Sequence, residues 1–397
     1  MSKRRALVIN QYAFPREYGG ITRNFDMFSR LEKWGFGIIS SSRHHYTGEQ
    51  MTSVDERFTL VPVPAYEGNG KMRVVGWGVF AAEAFAAGLT GRLRGRGRTD
   101  LVFASSPQLL AAVSGMCLAK VLRKPFVMEV RDLWPESLVS GGALNEGSLV
   151  HRILVGVEKT LYASAHQIVV VTAGWEDHFR DLGINPDKLN VVANGADLAE
   201  FEVPETKEQL REQYGIEGFT AVFSGNHSTY VGLDLIVDAA QQLPDVNFLL
   251  IGSGSRKAWA VEEVARLALD NVRFHDQVPK DELVKLLKAC DAGLHTVSPQ
   301  SVFDKGMSPN KLYDYMASGL MVVSNAKEPI RDVITDDEVG AVVNPTELVE
   351  GIKRVRDADE GTRARWRDRA RELMADRFSL QASARKLEAA LDKAMLR

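Results

Sequence analysis

A chain of 397 residues, 45% hydrophobic and 25% charged, has the length for two domains of ordinary size, each with its own core. Its 49 basic and 52 acidic residues leave a formal net charge of −3, so no electrostatic footprint for nucleic acid is present. Cys117 and Cys290 lie far apart in apolar surroundings, which fits a reducing cytoplasm.

The basic start is followed by an apolar run, Ala6–Ile9, that is too short for a secretory segment and ends in Asn10 and Gln11; it reads as a first strand. A loop with Gly19 and Gly20 follows, then helical spacing from Ile21 to Trp34 ending at Gly35. Strand, glycine loop and helix open a doubly wound fold, and the glycines either let the backbone approach a ligand or simply make a tight turn. Short β-rich runs at Gly37–Ser41, Thr59–Val63, Leu101–Ala104, Phe126–Val130 and Gln167–Thr172 repeat the pattern.

Residues 71–98 interrupt it with a nearly continuous apolar stretch followed by RLRGRGR. Arg73, Glu83 and several glycines argue against a membrane span. Two readings stay open: docking on an anionic membrane surface, and a buried helix with a polar turn after it. At Phe126–Leu138 a buried-type strand ends in Arg131 and Asp132, with Glu136 nearby, where α/β folds place ligands. This is either an acceptor-side constellation or a structural Arg–Asp pair. His44, His45 and His166 lack metal-ligand spacing. LNVVANGAD, Leu189–Asp197, is an apolar strand with an Asn-Gly turn, and the charged stretch Phe201–Gly218 marks a domain boundary.

The second series of strands reads as Phe219–Gly225, Val246–Ile251, Val272–His275, Ala292–His295, Met321–Ser324 and Gly340–Val343. Gly252-Ser-Gly254 is a weak dinucleotide sign and reads as a packing turn; Asp357-Ala-Asp359 reads as solvated. The stretch richest in chemistry is FDKGMSPNKLYDYMASGLMVVSN, Phe303–Asn325. Ser308 and Pro309 predict the cap and first turn of a helix over Asn310–Ser318, whose free N–H groups suit an anion. Lys311 adds a charge suited to phosphate, and Asp314, one turn on, reaches sugar or ribose hydroxyls. A plain αβ crossover is the competing reading. Ser379 predicts the cap of a last helix carrying Leu380, Leu387 and Leu391 on one face.

Over nearly the whole chain, and most specifically at Ser308–Gly319 and Asn194–Asp197, the sequence resembles the retaining glycosyltransferases of family four. It is especially similar to the branch that adds amino-deoxy sugars such as N-acetylfucosamine in bacterial surface polysaccharides. The resemblance implies the GT-B fold: a Rossmann-like acceptor-side domain at 1–197, a nucleotide-sugar-binding one at 198–375 facing it across a cleft, and a helix at 376–397 crossing back to the first. It implies donor contacts from Gly19, Gly20, Gly225, Asn226, Val278, Ser308, Pro309, Asn310, Lys311, Leu312 and Asp314. Val278 belongs to the loop Phe274–Pro279, which in the family holds the base through main-chain groups. Arg131 falls where the family often has histidine, and Asp132 becomes the base or orienting group for the acceptor hydroxyl.

Three positions depart from the family pattern. The first of two acidic residues falls on Gly306, with Asp314 matching the second, and Asn226 and Val231 stand where an arginine and a lysine bind the diphosphate. Lys311, the helix end and His227 or Arg256 are left to neutralise the phosphates. The expected activity is transfer of a sugar from a nucleotide-sugar donor, UDP-linked, to a glycan, lipid-linked or other hydroxyl acceptor with retention of configuration. No metal or cofactor is expected, and the place of action is the cytoplasm or the inner membrane face. Two other classes remain: a nucleotide-sugar epimerase of the same fold, and a non-catalytic nucleotide-sugar-binding protein.

Overall fold

Short runs of Val, Ile, Leu, Phe and Ala without polar alternation are strands covered on both faces, as parallel sheets require. The computed structural model describes residues 3–15, 18, 22–45, 47–52, 55–65, 71–93, 98–298, 306–335 and 337–396. Within them the runs form two parallel sheets. In the first, β1 (Arg4–Ile9), β2 (Trp34–Ser41), β3 (Phe58–Val61), β4 (Leu101–Ser105), β5 (Phe126–Val130), β6 (Gln167–Val170) and β7 (Leu189–Val191) lie in the order β3-β2-β1-β4-β5-β6-β7. In the second, β8 (Thr220–Ser224), β9 (Asn247–Ile251), β10 (Val272–His275), β11 (Ala292–His295), β12 (Met321–Ser324) and β13 (Gly340–Val342) lie in the order β10-β9-β8-β11-β12-β13. Both are doubly wound, as expected, and their order reverses between β1 and β4 and between β8 and β11; ligand crevices open at the carboxyl ends of such strands.

The chain divides into one unit of residues 1–193 with 383–397 and another of residues 194–382. Asn194–Asp197, expected at the end of the first domain, therefore opens the second. The cause is local: Asn194 N–H donates to Ser308 Oγ at 2.9 Å, and Ala196 N–H donates to Phe378 O at 3.1 Å. A Cβ on Gly195 would stand 2.3 Å from Phe378 O, so only glycine lets these strands of chain touch. The last helix, Leu380–Ala394, begins in the second unit and ends in the first. Its expected cap is present, with Ala382 N–H donating to Ser379 Oγ at 3.1 Å.

One helix differs from expectation, and another bears on a reading left open. The one expected over Ile21–Trp34 is confined to Arg23–Ser29, because Trp34 already pairs with Arg4 at the start of β2. The apolar stretch is a helix, Lys71–Leu93, long and apolar enough by length and composition to cross a membrane. One stripe of it is core: Phe80 and Ala84 are fully buried, and a Cβ on Gly88 would meet Leu118 Cδ2 at 2.4 Å. Its other face leaves Met72, Val74 and Val75 half exposed. Residues 94–97 of the arginine-rich tail lie outside the described residues, and Arg98 pairs with Asp100 at 2.6 Å.

Candidate active site

In the second unit the carboxyl ends of β8 and β11 and the helix Asn310–Ala317 come together. Tyr315 of that helix fixes the arrangement: it receives the Ser224 N–H at 2.9 Å and donates to Leu294 O at 3.3 Å. Its ring fills the space over Gly293, where a Cβ would fall 2.3 Å from Tyr315 Cγ. The helix start is held from the other side. Asn194 Nδ2 donates to Ser308 O at 2.7 Å, and Ser308 Oγ lies 2.7 Å from Tyr313 Oη. Ser308 is therefore not the cap expected of it; Pro309 occupies that position without a side-chain cap, and the serine hydroxyl is spent on Asn194 and Tyr313.

Lys311, one position inside the helix, is half-buried, and its Nζ lies 3.7 Å from the centroid of the Phe223 ring. A Cβ on Gly225 would stand 3.5 Å from that Nζ. Among the described residues no acid pairs with it, and burial pulls its pKa down to about 7. Two histidines share the setting. His227, fully buried, has a pKa lowered to about 4 by burial, Lys257 and Lys311, and neither ring nitrogen makes a well-formed hydrogen bond. His295, at the end of β11, has a pKa lowered to about 3 by burial and then Lys311, and its Nδ1 lies 2.8 Å from Ser324 Oγ. Both imidazoles are neutral at physiological pH, so each keeps one N–H donor and adds no charge. A cation without a counterion beside neutral donors at a helix N-terminus is an arrangement that an anion completes.

The other expected donor contacts divide. Gly225 and Asn226 are exposed at the end of β8 and Asn310 at the helix start. Gly19 and Gly20 lie outside the described residues. Leu312 is wholly buried and its N–H already donates to Pro309 O at 3.1 Å, so its side chain serves packing rather than contact with a ligand. Asp314 is engaged by Lys280 at 2.6 Å; burial raises its pKa and Lys280 opposes the rise. Arg256 stacks on Trp259 with 3.8 Å from guanidinium to ring centroid. Val278 is half-buried in the loop after β10. Gly252 and Gly254 form the packing turn expected of them: a Cβ on Gly252 would lie 2.0 Å from Gly225 O. Asp359 caps the helix Glu360–Leu373 and Asp357 pairs with Arg356 at 2.8 Å, so that acidic pair is structural.

In the first unit, β5 carries Glu129, Arg131 and Asp132 toward its carboxyl end. Glu129 is buried and accepts from Arg23 Nε at 2.9 Å and from Asn24 Nδ2 at 2.9 Å. Arg23 also donates to Val192 O at 2.7 Å and Ala193 O at 3.0 Å. Burial pushes the Glu129 carboxyl up, but Arg23, Arg131 and its hydrogen bonds win and hold its pKa below the usual range. Arg131 Nη1 is buried without a hydrogen-bond partner among the described residues. Asp132 presents an exposed face, while crowding around its carboxyl raises the pKa against the pull of Arg131. Glu136, read beside this pair, turns instead to His178, 3.4 Å away.

Residues 24–195 match the family described as Glycosyl transferase 4-like domain, and residues 206–373 match Glycosyl transferases group 1. The chain is a GT-B glycosyltransferase of the family-four type. It is 28% identical over 283 residues to the probable glycosyltransferase WbjE of Pseudomonas aeruginosa, covering 68% of each chain. Its fold is similar to that of HepE of Anabaena, solved in complex with UDP: the TM-score is 0.73, with 16% identity over 98% of this chain and 99% of the other. WaaG, a glycosyltransferase involved in lipopolysaccharide biosynthesis, aligns with a TM-score of 0.62 and 17% identity over 97% and 98%.

The glycosyltransferase departs from the family pattern for reasons the backbone shows. Gly306 has φ +120°, a conformation an acidic side chain would occupy only with strain. Val231 packs against the second core and accepts the Thr296 hydroxyl on its carbonyl at 2.6 Å. Sequence reasoning missed Arg23, Asn24 and Glu129, and also His295, Gly293 and Tyr315. A glutamate inside the apolar run FVMEV was the one signal available for the first group. A histidine ending a buried strand was the one for the second.

Proposed function

We propose that this glycosyltransferase moves a sugar from a UDP-sugar to a hydroxyl of a glycan or lipid-linked acceptor, with retention of configuration and without a metal, in building a cell-surface polysaccharide. The observation that carries the reading is Lys311, a half-buried cation with no acidic partner among the described residues, at a helix start beside neutral His227 and His295. When the bond between the anomeric carbon and the diphosphate oxygen breaks, negative charge collects on the departing diphosphate. The ammonium, the histidine N–H groups and the helix N–H groups stabilise that charge where it forms. The anomeric carbon bonds to the acceptor oxygen, and Asp132 is assigned to orient that hydroxyl and receive its proton, with its raised pKa suited to the task. Asp314, held by Lys280, is assigned to the ribose hydroxyls. The UDP bound to HepE supports the choice of base, and the role of WaaG in lipopolysaccharide biosynthesis supports the product class. The exposed Met72, Val74 and Val75 suit an enzyme that works peripherally at the cytoplasmic membrane face.

The test is nucleotide release from a panel of UDP-, GDP- and dTDP-sugars, with and without a membrane extract as acceptor source. UDP release only in the presence of extract is expected. Interconversion of the donor without extract would make the chain an epimerase, and binding with neither reaction would make it a non-catalytic binder.

A further inference from the structure

At the amino end of β5, the opposite end of that strand from Arg131 and Asp132, the first unit carries a depression of about 360 Å³ lined in part by Met116, Lys120, Arg123, Lys124, Phe126 and His166. Five residues at roughly 3.3 Å each put it about 17 Å from the carboxyl end of the strand. Lys120 and Arg123 are exposed and Lys124 is half-buried. Among the described residues none of these three cations makes an ion pair or a side-chain hydrogen bond, and no acid lines the depression. Elsewhere in the unit Arg4, Arg23, Lys33, Arg57 and Arg98 pair with carboxylates, and Arg43 and Arg152 donate to backbone carbonyls.

The helix Leu109–Leu122 ends here, and its carbonyl end favours a cation. That accounts for Lys120, which stands in the last turn, but one such charge meets the need. Arg123 holds φ +52° at the cap, a left-handed position where glycine or asparagine is the unstrained choice. His166, which lines the depression, accepts the Phe126 N–H on Nδ1 at 3.2 Å. The depression thus combines three cations that make no ion pair among the described residues with an apolar floor from Met116 and Phe126.

We propose that this depression binds a phosphate-bearing anion at a site separate from the reaction centre. The cations take the phosphate oxygens, and the uncharged part of the ligand lies on Met116 and Phe126, with His166 lining the same depression. Two sources share that chemistry, an anionic phospholipid headgroup and a soluble phosphate ester.

The test follows the ring C–H signal of His166, identified by its loss in His166→Gln, while glycerol 1-phosphate is titrated into the full chain. Its partner is sedimentation with vesicles of phosphatidylcholine, with and without about one-third phosphatidylglycerol. Lys120→Gln/Arg123→Gln/Lys124→Gln is compared throughout, with Lys120→Gln/Lys124→Gln as a second variant that leaves the cap untouched. A saturable His166 shift that weakens at least tenfold in both variants, while the His227 and His295 signals are unaffected by the substitutions, is expected for a soluble ester. Phosphatidylglycerol-dependent sedimentation that falls at least tenfold in both variants is expected for a headgroup. Either result supports the site; a His166 signal that does not move together with sedimentation indifferent to the variants overturns it.

Discussion

Arg23 and Lys311 each bring a cation to the carboxyl end of a parallel sheet, one in each unit, and they are treated in opposite ways. The Arg23 guanidinium donates to Glu129, Val192 O and Ala193 O, and Glu129 takes Asn24 as well. Lys311 has the face of Phe223 and, among the described residues, no carboxylate. A buried charge with all its hydrogen bonds made belongs to the architecture, because its desolvation is offset on the spot. A half-buried ammonium without a counterion weakens the free protein and is relieved only when an anion arrives. The contrast separates a cation that holds the fold from one that, in the proposed function, waits for a substrate.

The largest effect expected is on the paired side. Glu129→Ala leaves Arg23 buried without its carboxylate, which costs about 3–5 kcal/mol; urea unfolding reads it directly, and a loss below about 1 kcal/mol would remove Arg23 from the architecture. Next comes the unpaired side. Lys311→Ala should lower donor-dependent nucleotide release by about 10²–10³-fold, the usual worth of one preorganised donor to a developing anion. Stability should stay level or rise, since an uncompensated charge has gone. Unchanged nucleotide affinity would sink the assignment of Lys311.

The doubly wound sheets were legible because buried parallel strands write themselves as short apolar runs. Phe126–Val130, Val272–His275, Ala292–His295 and Met321–Ser324 fall where they were expected to the residue. Lys311 was legible as a candidate, because a helix start after Ser-Pro gives a proposed anion site a local spelling. The support for it was not. Tyr315 against Gly293, and Asn194 against Ser308, join segments about 20 and more than 100 residues apart, and no periodicity announces such pairs. Ser308 shows the same limit: its hydroxyl had a good local use as a cap, and a distant partner took it. Glu129 was visible as an oddity in a strand, but that its partner is Arg23 follows only from the pairing of β1 with β4 and of β4 with β5.

A smaller effect sharpens the comparison from the side of position rather than charge. Gly293→Ala pushes a methyl into the Tyr315 ring, and such overpacking costs about 1–3 kcal/mol. Because Tyr315 carries the helix of Lys311, donor turnover should fall more than the loss of stability alone explains. The measurement is kcat/KM for the donor at a temperature where the variant is fully folded; a turnover equal to that of the unchanged chain would mean that Tyr315 does not set the place of Lys311.

The gentlest probe is pH, and for Lys311 the two readouts should run in opposite directions. Its pKa is about 7 in the folded, ligand-free chain, below the ordinary lysine value of 10.5. From pH 7 upward the unfolded chain keeps a proton on Lys311 that the folded chain has given up, so this residue's contribution to stability improves as pH rises toward 10.5. Donor binding needs the ammonium, so affinity for the donor should fall over the same range, while bound diphosphate pulls the pKa back up. His178 complicates stability measured alone: Glu136 and Glu158 outweigh its burial and raise its pKa to about 9. Its contribution is complete below the ordinary histidine value of 6.5 and fades as pH passes 9. The quantity to measure is therefore the difference between the chain and Lys311→Met across pH 6–10, in unfolding free energy and in donor affinity. The His178 contribution cancels in that difference. What remains should show stability gained and donor affinity lost together as pH rises; both flat would mean that the ammonium of Lys311 is neither desolvated nor used.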